Sequence, residues 1–279
     1  MSSIDQLLKG AIDMHVHAAP DIRERRLDAL QLARQAEQAG MKAVVLKSHC
    51  YPTAPLAYIV NQIVPGILVI GSLCLDKENG GLNPEAVEVS AELGAKVIWM
   101  PTFSSVVDKK RTGESGGIYI LDKDNQLVPE MKPILEIIEG NHLLLATGHI
   151  SSAEIFTLTD EARRMGIKVV ITHPLTTTAG SPLTIEQQQA LVAKGAFIEH
   201  CFLPTMPLST RLDPMEIVKA VREVGVEHCV LSTDFGQAHN PAPVEGVRMM
   251  IAAMLQCGLN EREVELLVKV NPAQLLDLT

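Results

Sequence analysis

The sequence predicts a (β/α)8 barrel, the TIM-barrel form of the α/β class, and three observations support that reading. One phrase recurs along the chain: a helical stretch, a glycine, a basic or small residue, then a short apolar run. It appears as "ARQAEQAGMKAVVLKSH", "VSAELGAKVIWMPTF", "EARRMGIKVVITHP", "QALVAKGAFIEHCF" and "VREVGVEHCVLSTDF". The glycine stands where a helix ends in the left-handed conformation, so each phrase reads as helix, tight turn, buried strand. Adding the apolar runs "AIDMHVH", "GILVIGSLCL" and "HLLLATGHI" brings the strand-length segments to eight, the number that closes a barrel. The 279-residue chain is also 47% hydrophobic but only 3% aromatic, and a core of Val, Ile, Leu, Ala and Met suits parallel strands covered on both faces.

Taken in order, the strands are expected near 11–17, 42–49, 66–75, 95–101, 142–149, 168–173, 196–202 and 228–234. Helices fill the intervals, and several of their starts are marked. Ser151 precedes Glu154 by three, Thr184 precedes Gln187 by three, and Asp213 is followed by Pro214 as a first helical residue. The competing open, doubly wound sheet is disfavoured because neither GxGxxG nor GxxxxGK[ST] follows the first strand. Between Phe103 and Met131 the chain is too long for an ordinary βα loop, and two strand-like pieces flank "DKDN"; a hairpin lid over the barrel mouth, after strand four, is expected there. "LPTMPLSTRLDP" reads as an ordered loop, and neither segment marks a boundary, so residues 1–279 are expected to form a single domain.

Bulk properties narrow the partners. A net charge of −9 argues against nucleic acid or an anionic membrane surface and in favour of a small-molecule substrate; a homo-oligomer remains compatible with it. No apolar run approaches the roughly 18 residues that span a bilayer, and the opening "MSSIDQLLKG" lacks the features of a signal peptide. Five scattered cysteines with no CxxC pair suit free thiols in a reducing compartment, so a cytoplasmic location is expected.

In such a barrel the chemistry lies at the carboxyl ends of the strands. Polar residues crowd those ends: His15 and His17 on strand one, Lys47 and His49 on two, His149 on five, His173 on six, Glu199 and His200 on seven, Asp234 on eight. His142 and His228 precede strands five and eight, and His239 lies in the loop after strand eight. Residues i and i+2 share a strand face, so His15 and His17 both point inward, about 7 Å apart along the strand and able to converge on one ion. Imidazole with carboxylate suits a divalent metal, zinc first and Mn, Fe or Ni as alternatives, and such an ion supplies hydroxide at neutral pH by acidifying bound water. Asp234 fits as ligand and proton acceptor.

The set "DMHVH", "TGHI", "ITHP" and "STDF", in this order and on these strands, resembles the amidohydrolase superfamily of metal-dependent hydrolases, which includes phosphotriesterase-like and TatD-like enzymes. The resemblance spans nearly the whole chain. It implies that His15, His17 and Asp234 hold one metal, and that His149 and His173 hold a second or, in one-metal members, that His149 joins the first while His173 polarises substrate or water. It makes Asp234 and His173 the catalytic candidates. The terminal "VNPAQLLDL" is similar to the segment that closes the barrel in many members.

One departure stands out. Two-metal members commonly carry a bridging Glu or carboxylated Lys on strand four, where this chain reads "KVIWMPTF". Lys47, on the same face as His49, supplies a bridge if carboxylated, or otherwise an ammonium for an anionic substrate. Substrate-binding candidates are His49, Glu199, His200 and, from the lid, Arg111; only one of Glu199 and His200 faces inward, and alternation does not say which. Asp13 is expected on the His15 face, orienting a ligand histidine, and Arg23, Arg25 and Arg26 are expected as solvated charges, with contact to a substrate anion a minor alternative. The expected function is hydrolysis of an amide, ester, lactone or phosphoester bond. The alternatives are a mononuclear metal-dependent decarboxylase of the same superfamily and a non-catalytic metal-binding barrel.

Overall fold

A computed structural model describes residues 2–278. Eight parallel strands run in the order β1 to β8: β1 (Ile12–Val16), β2 (Ala43–Leu46), β3 (Leu68–Cys74), β4 (Ala95–Trp99), β5 (Leu144–Ala146), β6 (Val169–Thr172), β7 (Phe197–Cys201) and β8 (Cys229–Ser232). Helices α1 (Ser3–Leu8), α2 (Ala29–Gln38), α3 (Ala54–Ile63), α4 (Pro84–Glu92), α5 (Val106–Arg111) and α6 (Met131–Gly140) belong to the first half. The second half carries α7 (Ser152–Arg164), α8 (Ile185–Ala193), α9 (Pro214–Val224), α10 (Pro243–Gln256), α11 (Glu261–Glu265) and α12 (Asn271–Leu275). This is the expected (β/α)8 barrel. Among the described residues no helix is long and apolar enough to cross a membrane.

The helix starts form where side chains can satisfy free N–H groups. Ser151 accepts from the Glu154 amide and Thr184 from the Gln187 amide, each in a reciprocal capping box, and Asp213 caps α9 ahead of Pro214. Two apolar layers result. Leu73, Ile98, Leu145, Ile171, Ile198 and Leu231 face the helices, whereas Ile12, Met14, Val45, Ile70, Val97, Trp99, Val170 and Val230 fill the barrel. The terminal segment plugs the barrel floor. Leu275 and Leu276 join the interior layer, and the Asn271 side chain donates to the buried carbonyls of Val226 (2.8 Å) and Cys229 (2.7 Å).

The ring closes between β1 and the residues just after β8. Asp234 N–H donates to the His15 carbonyl and His17 N–H to the Phe235 carbonyl, both at 2.8 Å. Closure and the placing of Asp234 beside the two histidines are therefore one event. β1 also carries a bulge: three steps from Asp13 to Val16 match two steps from Val44 to Leu46 on β2. A bulge changes which face a side chain takes. Ile12 and Met14 line the interior, yet His15 and His17 also turn inward, while Asp13 binds the seam by accepting from Thr233 N (3.0 Å) and Thr233 Oγ1 (2.5 Å). Asp13 thus departs from expectation: it braces backbone and hydroxyl, including His15 N at 3.3 Å, and touches no imidazole. Burial pushes its carboxyl up to about 7.

The insertion after β4 forms α5 and then a tight turn with one antiparallel bridge, Leu121 to Leu127. The turn packs beside the start of α7, where Ile120 N–H donates to Glu154 Oε1 at 2.9 Å. The part of the insertion that reaches the barrel end is α5.

Candidate metal centre

Five imidazoles form a closed circuit at the carboxyl end of the barrel. Ring centroids run 5.4 Å from His15 to His17, 5.0 Å to His49, 6.3 Å to His149, 5.0 Å to His173 and 6.0 Å back to His15. Asp234 enters beside them, its Oδ1 3.2 Å from His15 Nε2 and 3.1 Å from His17 Nε2. One donor atom from each of these three residues lies within 4.8 Å of the others. His173, directly after β6, and Asp234, two residues after β8, adopt left-handed backbone, φ 31° and 57°. Such residues are sparse outside glycine and concentrate at functional sites.

The tautomers can be assigned from partners. His17 Nδ1 lies 2.9 Å from the Lys47 carbonyl, which can only accept, so the proton is on Nδ1 and Nε2 keeps its lone pair. His15 Nδ1 lies 3.2 Å from Glu199 Oε2, and His149 Nδ1 2.5 Å from Asp108 Oδ2; a carboxylate partner at Nδ1 assigns both protons the same way. Lone pairs on His15 Nε2 and His17 Nε2 therefore face a carboxylate oxygen, and His149 Nε2 faces His173 Nε2 at 3.2 Å. A metal cation among His15 Nε2, His17 Nε2 and Asp234 Oδ1 would relieve this convergence, which the Lys47 ammonium meets only at His15. The protonation directions agree. Burial first, with neighbouring Arg25 and His15, lowers His17 to about 3, and burial holds His49 and His173 well below the usual imidazole range and lowers His149. Burial alone would raise Asp234, but His15, His17 and His173 keep it ionised, well below the carboxylate range.

Lys47 Nζ lies 3.1 Å from His15 Nε2 and 5.1 Å from the Trp99 ring centroid, so Lys47 belongs to the cluster. β4 contributes that Trp99, 5.6 Å from the His15 ring, where a bridging carboxylate was absent from the sequence. His49 is held by Thr102 Oγ1 at 2.6 Å, itself bound to the buried Asp76. Glu199 faces inward and engages His15 rather than the mouth.

Two expected substrate contacts lie elsewhere. His200 faces the helix layer, because its neighbour Glu199 takes the interior and successive strand residues alternate; both its ring nitrogens are buried without a partner among the described residues. Arg111 is turned to Asp108 and the Gly180 carbonyl, where it clasps α5 to the loop after β6.

Several residues escaped the sequence reading. Asp108 orients His149 and also accepts from Gly180 N at 2.9 Å. Gly148 must be glycine: its φ is 57°, and a Cβ would stand 2.3 Å from the Met100 carbonyl oxygen. A mouth cavity of about 310 Å³ is lined by His17, Arg23, Arg25, His49, Gln237 and His239, with Glu24 and Ala238 completing its wall. The cluster "DIRERR" held the only sequence signal for its arginines.

Fold and donor cluster together define a (β/α)8 barrel with histidine and carboxylate donors at its carboxyl end. An amidohydrolase from Pseudomonas aeruginosa superposes with a TM-score of 0.66 at 14% identity over 99% of this chain and 98% of that one. YJJV, a TatD homologue from Escherichia coli K12, gives 0.61 at 14% identity over 98% and 100%. A 2,6-dihydroxybenzoate decarboxylase, complexed with 2,6-dihydroxybenzoate, gives 0.58 at 12% identity over 96% and 99%. The chain belongs to the family of unknown function DUF6282, whose profile matches residues 10–199. That span holds His15, His17, Lys47, His149, His173 and Glu199 and stops short of Asp234. No curated protein matches the sequence.

Proposed function

We propose that this chain is a metal-dependent hydrolase that cleaves an amide, ester, lactone or phosphoester bond of a small molecule. The observation that carries the reading is the meeting of His15 Nε2, His17 Nε2 and Asp234 Oδ1 at the carboxyl end of the barrel. These three residues would hold a divalent ion, zinc first by donor type, with His149 and His173 completing its shell or holding a second ion and Lys47 within reach. An ion bound there supplies an acidified water and a Lewis acid for the bond to be broken. The protein's own groups do the rest. Glu199 and the Lys47 carbonyl fix the ligand tautomers, as Asp108 does for His149. Ionised Asp234 accepts the water's proton on Oδ2, the oxygen that His15 and His17 leave free. Neutral His173, its Nε2 3.2 Å from His149 Nε2, would polarise substrate or water if His149 alone joins the ion. Trp99 and Phe103 flank the reacting space and limit its water.

A one-ion decarboxylase is the second reading, favoured by Trp99 standing where a bridging carboxylate would be needed and by the fold shared with the decarboxylase structure. A single domain in the cytoplasm, acting on a small molecule, suits five free cysteines. Asp234→Asn tests the assignment: metal content by mass spectrometry and turnover over a panel of esters, lactones, amides and phosphoesters, with 2,6-dihydroxybenzoate as the decarboxylation arm. Loss of proton acceptance should cut turnover by about 10²–10⁴-fold. Undiminished turnover would refute the role of Asp234, and metal binding without any turnover would favour a non-catalytic barrel.

A further inference from the structure

The mouth above the cluster holds an arginine that neither the metal centre nor a carboxylate partner among the described residues engages. Arg23 is exposed, and its guanidinium carbon lies 3.9 Å from the Phe103 ring centroid. That ring's centroid lies 4.2 Å from the His49 ring and 5.5 Å from the His149 ring, so Phe103 stands between the guanidinium and the histidine circuit. A cation–π contact of this kind restrains the guanidinium while its N–H donors make no side-chain hydrogen bond among the described residues. Its neighbour Arg25 is committed otherwise. The Arg25 side chain is 4% exposed, pairs with Asp21 at 2.7 Å and reaches within 3.4 Å of His17 Nδ1, while the Arg25 backbone bridges to Gln237 in the loop after β8. Among the described residues the Arg23 side chain has no carboxylate partner, and both arginines line the cavity that opens onto His17 and His49.

We propose that Arg23 is the specificity-determining residue of the mouth, and that the substrate carries a carboxylate which Arg23 grips while its reacting group lies at the histidine circuit. One free guanidinium matches one negative charge. A planar carboxylate meets its fork with two parallel hydrogen bonds. Glu24, on the same cavity wall, opposes a dianion, which favours a carboxylate over a phosphate. The cavity, at about 310 Å³, admits only a small molecule. The inference rests on the reading of the cluster as the reaction centre.

Calorimetric titration of the full chain tests it, with N-acetylglycine as the carboxylate probe, N-acetylglycinamide as its uncharged counterpart and inorganic phosphate as the dianion. N-acetylglycine should bind about tenfold or more tighter than the amide. Arg23→Ala should remove that preference with amide binding unchanged, and Arg23→Lys should keep only part of it. Phe103→Leu, which removes the ring beneath the guanidinium, should lower the ratio of N-acetylglycine to N-acetylglycinamide affinity. Equal binding of acid and amide, no binding of N-acetylglycine to the wild type, or undiminished binding to Arg23→Ala would overturn the proposal. Phosphate binding that is tighter and lost in Arg23→Ala would overturn the choice of carboxylate. The same titrations in Asp234→Asn separate the two readings: the Arg23-dependent preference should persist there, whatever happens to metal and turnover.

Discussion

At the scale of single residues, the centre is set by which nitrogen of each histidine carries the proton. The Lys47 carbonyl, Glu199 and Asp108 each bind an Nδ1, and each leaves an Nε2 lone pair facing the reacting space. His200 shows the opposite situation, a histidine in the helix layer with neither nitrogen partnered. Burial lowers it to about 4, below an ordinary value of 6.5. The unfolded chain takes up the proton first, so this group's contribution to stability is complete above pH 6.5 and is lost as pH falls from there toward 4. The difference corresponds to about 3 kcal/mol. His200→Leu should therefore unfold at lower pH than the wild type and show a slope of stability against pH, between 6.5 and 4, smaller by one proton. At pH 7 it should gain about 1 kcal/mol, because an unpaired polar group is removed. Denaturant melts across pH check both, and an unchanged slope would mean that His200 is hydrated or partnered. The sequence named both Glu199 and His200 but not their directions. Both faces of a parallel strand are buried, so "FIEHC" presents no polar side to read.

At the scale of elements, the strands were legible because each announces itself with a glycine and an apolar run, and their ends because histidines stand there. Two elements were not. The β1 bulge moves Asp13 off the His15 face, and nothing in "IDMHV" marks an extra residue. The insertion reads as a hairpin around "DKDN", yet the element that serves the site is the short helix α5, whose Asp108 meets a histidine 41 positions away. Pairing across that separation is decided by tertiary packing and leaves no local pattern. Asp108→Asn tests this element. The amide oxygen must still accept from Gly180 N and Arg111, so the amide nitrogen turns to His149 and forces the proton from Nδ1 to Nε2. Nitrogen NMR shifts of His149 should report the exchanged tautomer, and metal affinity should fall by about 10–100-fold. An Nδ1-protonated His149 in the variant would show that α5 does not set it.

At the scale of the whole molecule, one closure builds both barrel and site: the hydrogen bonds that join β1 to the residues after β8 run from Asp234 N–H to the His15 carbonyl and from His17 N–H to the Phe235 carbonyl. The fold was readable from five repeats of one phrase and three further apolar runs of strand length. The donor set was readable once those repeats were placed in a ring, because strand ends more than 200 residues apart then become neighbours, as His15 and Asp234 do at 3.2 Å. The mouth was readable only as a list of candidates such as Arg23 and His239; their meeting with Phe103 was not, since all three come from loops without periodicity. The central claim, that this closure assembles a metal site, is tested most directly by anomalous scattering from crystals equilibrated with zinc. The account predicts a peak about 2.0–2.2 Å from His15 Nε2, His17 Nε2 and an Asp234 oxygen. A zinc peak bound elsewhere, or none among these three residues, would contradict it.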